Sequence, residues 1–151
     1  MDTVENLRRE RIDIKLEASD AYRAMAAFDR EIELDPALRE LVKVRSSQLN
    51  GCAYCIEMHT RVARKAGESE QRLYALAAWR ESPLFTTRER AALELADAVT
   101  GIGEHGVPDP VYERAAAEFA PGELANLILA ITAINAWNRI AVSSEMVFAA
   151  E

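Results

Sequence analysis

The stretch DPALRELVKVRSSQLNGCAYCIEMHTRVARKAG, residues 35–67, decides the fold through its punctuation. Asp35 is an N-cap residue type and Pro36 suits the first helical position, so a helix starts there and runs through Leu38, Leu41, Val42 and Val44. Asn50-Gly51 ends it, because glycine enters the left-handed conformation that closes a helix at little cost. A second helix follows from about Cys52 to Lys65 and stops near Gly67.

The same grammar extends outward in both directions. Upstream, Leu16, Ala24, Ala27 and Phe28 mark a further helix. Downstream, Ser69 caps a short one with Leu73, Leu76, Ala77 and Trp79 on one face, ending before Ser82-Pro83. Thr86 and Glu89 have capping-box spacing and open a helix through Leu93, Ala96 and Val99. Gly101, Gly103 and Gly106 break it, Asp109-Pro110 starts another through Val111, Ala115 and Phe119, and Pro121 begins a long apolar helix through Leu124, Ile128, Ile131 and Ile134. Asn135 to Arg139 is expected to bend that helix before a last segment through Val142, Met146 and Val147. No segment alternates with period two over a useful length. The expected fold is all-α, a single domain over residues 1–151.

Composition bounds the function. Half of the 151 residues are hydrophobic and the formal net charge is -7. Arginines alternate with glutamates instead of forming a basic stripe, which argues against nucleic acid as a partner. The N-terminus, Met1 to Asn6, lacks the basic start and apolar run of a secretion signal. The apolar run from Leu124 to Trp137 contains Asn126 and Asn135 and is too short to span a bilayer. A soluble, cytoplasmic protein without a membrane partner is expected. In that reducing compartment a close cysteine pair is more often catalytic or metal-binding than a structural staple.

The two cysteines, Cys52 and Cys55, stand three apart, with His59 four residues later and Glu40 twelve residues before the first cysteine. At about 100° per residue, Cys52, Cys55 and His59 fall within an arc of roughly 60° on a helix. Cysteines at this spacing in a helical turn have Cα atoms about 5 Å apart, which a disulfide tolerates. The first turn also presents unpaired N–H groups and the positive end of the helix dipole, which favour a thiolate. His59 is placed to accept a thiol proton, and Glu40 to hold the imidazole and receive that proton. Three other readings compete: small core residues without chemistry, a zinc site completed by Glu40 or His105, and disulfide exchange with a partner. Zinc lacks the usual second knuckle, and a thioredoxin fold needs a strand before the pair. Redox use of the pair is favoured.

These residues resemble the AhpD-like alkylhydroperoxidase branch of the carboxymuconolactone decarboxylase family. That branch carries a glutamate, a CxxC twelve positions on, and a histidine four positions after the second cysteine, here Glu40, Cys52, Cys55 and His59 within Ser46 to His59. The similarity extends to Glu68–Pro83 with Trp79-Arg80, to Glu89–Leu93 and to Trp137–Val142, and covers about residues 34–148. The resemblance implies an AhpD-like helical bundle that assembles into homo-oligomers, as hexamers built from dimers or trimers. It implies a peroxidase in which Cys55 is the peroxidatic cysteine, Cys52 resolves its sulfenic acid, and Glu40 and His59 relay protons. The substrate would be a hydroperoxide and the electrons would come from an external dithiol or protein reductant, with no bound cofactor and no metal. This chain has Tyr54 where the best-known hydroperoxidases have a second histidine; a phenol is a poor base at neutral pH but can line a pocket and position water or peroxide. Lactone decarboxylation is not expected, because the decarboxylases of the family generally lack the cysteine pair.

Other features invite less. Residues 101–106, GIGEHG, match GxGxxG but lack the preceding strand that the dinucleotide fingerprint requires. His105 in that loop reads as solvated. Trp79 and Trp137 read as core or contact residues before pocket residues. Arg139, on an apolar stretch, is expected to find a salt-bridge partner. Glu5, Glu10, Asp13 and Glu17 read as a solvated face.

Overall fold

The computed structural model describes residues 9–148, and Glu5 lies outside them. The described residues form helices α1 (Ile14–Glu17), α2 (Ser19–Arg30), α3 (Pro36–Asn50), α4 (Ala53–Lys65), α5 (Glu70–Ala75), α6 (Thr87–Thr100), α7 (Asp109–Glu118) and α8 (Pro121–Ser144), with one 3₁₀ turn at Leu76–Ala78 after α5. No strand occurs among them.

Local chemistry sets most of the boundaries. Asp35 accepts a hydrogen bond from the Leu38 N–H at 3.0 Å, and Pro36 opens α3 as its first residue. Gly51, at φ 65°, closes α3 in the left-handed region, and the next N–H, from Cys52, donates to the Ser47 carbonyl at 3.0 Å. Ser69 caps α5 through the Arg72 N–H, and Asp13 caps α1 through the Leu16 N–H at 2.9 Å. Asp13 thus has a local task within the acidic face, where Glu10 and Glu17 are exposed.

α3 is the centre of the bundle and packs on α4, α6 and α8. Leu38 and Val42 join Leu95, Val111, Phe119, Leu127 and Ile131 in one core cluster, while Leu41 and Val44 join Leu73, Leu76, Trp79, Phe85 and Leu93 in a second. Each such side chain removed from water contributes about 1.5–3 kcal/mol, so these clusters dominate the favourable side of folding. Ala77, expected on the buried face with Leu73 and Leu76, is exposed instead. The chain tightens there to a 3₁₀ turn, whose three-residue period aligns Leu73, Leu76 and Trp79 and turns Ala77 outward.

α8 departs from expectation in two ways. It runs unbroken over 24 residues, through Asn135 to Arg139 and on to Ser144, so Met146 and Val147 of the expected last segment fall beyond it. It is therefore longer than its apolar run and long enough to cross a membrane by length and composition. Its buried residues, from Leu124 and Leu127 to Asn138 and Ala141, pack against the bundle as those of a core helix do. The asparagines leave the helix ladder intact because their side chains are held by another helix. Asn50 Nδ2 at the end of α3 donates to Asn135 Oδ1 at 2.8 Å and Asn138 Oδ1 at 2.9 Å, and Asn138 Nδ2 donates to Ser47 Oγ at 3.0 Å. Arg139 is exposed and its guanidinium donates to the Asn135 carbonyl and side chain, and no carboxylate of the described residues meets it, so of the two expected salt bridges, within the chain or across an interface, the first is not formed.

The capping box of α6 is complete, with Thr86 Oγ1 accepting from the Glu89 N–H and Glu89 Oε2 accepting from the Thr86 N–H at 2.9 Å. Arg72 also donates to Glu89, with Nη2 2.6 Å from Oε1. Burial pushes the Glu89 carboxyl up, but the bonds from Arg72 and Thr86 outweigh it and hold it below the usual carboxylate range. A carboxyl depressed in the fold stabilises it fully above its unfolded pKa of about 4.3, and that contribution is lost as pH falls through the folded value. Urea midpoints of the wild type are predicted to drop on acidification below about pH 4.5. Glu89→Gln should flatten that dependence while lowering stability at neutral pH; an unchanged slope would rule the carboxyl out.

Candidate functional site

The turn between α3 and α4 delivers the cysteines. Cys52 is the N-cap of α4 rather than its first helical residue, and its Sγ accepts a hydrogen bond from the Cys55 N–H at 3.3 Å. The two sulfurs are joined in a disulfide with Cα atoms 5.3 Å apart. Both residues are 2 % exposed, and they cluster with Ile134 and Ala141 of α8 beside Tyr54, Trp137 and Met146.

One turn into α4, the His59 ring reaches back to α3, with Nδ1 2.8 Å from Glu40 Oε2. The pair is buried, at 7 % and 8 % exposure. A carboxylate only accepts, so beside an ionised Glu40 the Nδ1 atom carries the ring proton and Nε2 is left as the basic position. Glu40 and His59 thus meet across the α3–α4 contact.

A cavity of about 270 Å³ opens onto this group. Cys55 and His59 line it and Cys52 does not, so the two sulfurs differ in access although they are equally buried. Its walls are largely apolar and aromatic: Tyr54 and Met58 from α4, Trp137 and Ala141 from α8, and Met146. The remaining wall comes from α2, which contributes Tyr22, Ala26, Asp29 and Arg30. Tyr22 and Trp137 meet edge to face, with ring centroids 5.2 Å apart. The aromatic pair gives this wall an apolar surface against which an organic group fits.

The α2 wall is the part that sequence reading missed. Leu16, Ala24 and Phe28 were the expected apolar marks of this region, yet Leu16, Ala24 and Phe28 are all exposed. The face turned to the cavity carries Tyr22, Ala26 and Asp29, a mixed set that reads as solvated. Asp29 is tied to Lys43 of α3, whose Nζ lies 2.8 and 2.9 Å from its two carboxylate oxygens. Lys43 is one turn beyond Glu40 and 3 % exposed. A lysine three positions after a buried glutamate on the same helix face was the available signal.

Other candidates fall elsewhere. His105 is exposed in the loop between α6 and α7, which contains the GxGxxG match and follows a helix. Trp79 is buried in the second core cluster and its Nε1 donates to Asp97 Oδ2 at 3.2 Å. It borders a larger hollow of about 550 Å³ that also contains Arg80, Arg90 and Arg114. Those cations are already matched: Arg80 meets Asp97, Arg114 meets Glu94, and Arg90 donates to three backbone carbonyls.

The chain matches known proteins over most of its length. The carboxymuconolactone decarboxylase family profile matches residues 17–98, a span that includes Glu40, both cysteines and His59. The uncharacterized protein YdfG of Bacillus subtilis (strain 168) is 44 % identical over 119 residues, which are 79 % of this chain and 81 % of that protein. A crystal structure from Agrobacterium tumefaciens, of a protein of unknown function with a suggested antioxidant-defence role as AhpD, superposes with a TM-score of 0.92 at 39 % identity, covering 95 % of this chain and all of that one. The debrominase Bmp8 has the same fold at 19 % identity, with a TM-score of 0.76 over 89 % of this chain and 74 % of that one. The all-helical AhpD-like fold therefore hosts more than one activity, and the reaction must be argued from the site.

Proposed function

The chain belongs to the carboxymuconolactone decarboxylase family, and we propose that within it the protein is a thiol-dependent peroxidase that reduces organic hydroperoxides in antioxidant defence. The observation that carries this reading is the unequal access of the sulfurs: Cys55 faces the cavity with His59, while Cys52 lies behind it against the start of α4.

In the reduced protein Cys55 is the attacking thiol, with His59 Nε2 taking its proton and Glu40 stabilising the imidazolium that results. The thiolate attacks the distal peroxide oxygen, the O–O bond breaks, and two electrons pass to the substrate. The alkoxide leaves with the proton held by His59, as an alcohol, and Cys55 becomes a sulfenic acid. Cys52 then attacks the Cys55 sulfur and water leaves, closing the disulfide. The N–H bond that Cys52 receives at the helix cap favours its thiolate, which suits a resolving nucleophile. An external dithiol or protein partner supplies the two electrons that reopen the disulfide by exchange. Assembly into a homo-oligomer accompanies the same reading.

Counting free thiols on the reduced protein after one equivalent of cumene hydroperoxide tests this. Rapid loss of two thiols per chain is the expected result. Thiols that survive the peroxide but are oxidised by a small disulfide would transfer the site to disulfide exchange or redox sensing.

A further inference from the structure

Arg30 is the outlier in the cavity wall. The cavity's other charged groups are matched within the fold: both oxygens of Asp29 face Lys43, and Glu40 is bonded to His59. Elsewhere arginines meet carboxylates or carbonyls, as Arg45 meets Asp97, Arg72 meets Glu68 and Glu89, and Arg90 meets three backbone carbonyls. Arg30 lines the same space as Cys55, is exposed, and has no hydrogen-bond or ion-pair partner among the described residues. Its place in the last turn of α2 favours a cation through the helix dipole, but that effect does not account for its lining the same cavity as Cys55.

An unmatched guanidinium at the open side of an aromatic cavity is a receptor for a planar anion, because its forked N–H groups fit a carboxylate in two parallel bonds. We propose that the cavity selects organic hydroperoxides that carry a carboxylate, with the apolar body beside Trp137 and Met58, the peroxide at Cys55 and the carboxylate on Arg30. The proposal rests on the peroxidase reading of the same site. It makes Arg30 a specificity determinant, a role that neither Glu40 nor His59 can fill while bonded to each other.

Two measurements separate the inference from the reading beneath it. The first compares para-carboxycumene hydroperoxide with its methyl ester in thiol-loss kinetics on the reduced protein. The acid should be preferred by about tenfold in kcat/KM, the size expected for one charge-assisted pair at a partly solvated site. Arg30→Gln should collapse that preference through KM, and Arg30→Lys should restore part of it. The second measures binding of the corresponding alcohols, acid and ester, to the disulfide form by calorimetry, which needs no turnover. Tighter binding of the acid, lost in Arg30→Gln, supports the inference. Equal binding of acid and ester, or an Arg30→Gln effect that falls equally on both, overturns it. If neither hydroperoxide consumes thiols while the acid still binds selectively, the peroxidase reading fails and Arg30 remains an anion receptor.

Discussion

Replacing Cys55 with serine is expected to leave Cys52 as an intact free thiol after peroxide treatment, with substrate consumption slowed by more than about a thousandfold, the scale on which losing a nucleophile acts. A hydroxyl in the place of Cys55 ionises far too weakly at neutral pH to attack the O–O bond, and Cys52 does not line the cavity. Cys52→Ser should behave differently. One equivalent of peroxide should convert Cys55 to a sulfenic acid that persists, because no neighbouring thiol closes the disulfide, and a dimedone adduct on Cys55 by mass spectrometry reads it out. The opposite pattern, with the sulfenic acid on Cys52 and activity surviving in Cys55→Ser, would exchange the roles of the two sulfurs. Loss of activity in both variants without any sulfenic acid would point to exchange chemistry.

His59→Gln is the second large effect, expected to slow thiol loss by about a hundredfold or more at neutral pH, in the range of general acid–base contributions. Glu40→Gln acts only through the imidazole, whose orientation it holds, so a smaller loss is expected. The two residues share one hydrogen bond of 2.8 Å, so their effects should not add. A double variant no slower than His59→Gln alone is the expected outcome, and fully multiplicative losses would show that the pair does not work as a unit. His59→Gln also deprives a buried carboxylate of its partner, which destabilises the fold. Urea unfolding of both single variants separates that cost from the loss in rate.

Much of this architecture could be read before folding because its instructions are local. Asp35, Gly51, Ser69 and the Thr86–Glu89 pair act within a few residues of themselves, so their caps are visible as short motifs. The Glu40–Cys52–Cys55–His59 group spans two adjacent helices joined by one turn, which leaves little freedom in how they meet. What could not be read depends on distant partners. α8 is tied to α3 because Asn135 and Asn138 find Asn50 at the end of that helix, and nothing near them in the chain announces this. Ala77 turns outward because one turn changes period. The α2 wall is assigned to the cavity by a buried lysine at Lys43, and its polar residues look solvent-facing until that pairing is known.

The amide clamp on the α3–α4 turn also bears on biosynthesis. Asn50, two residues before the first cysteine, is held by side chains 85 and 88 positions later, near the end of the chain. On the ribosome the thiols emerge long before the helix that braces them, so a nascent or truncated chain ending short of Asn135 carries both sulfurs on an unbraced turn. The cavity, with Trp137 as one wall, comes into being only once α8 has been made. The peroxide chemistry proposed for Cys55 would therefore wait until α8 has been made.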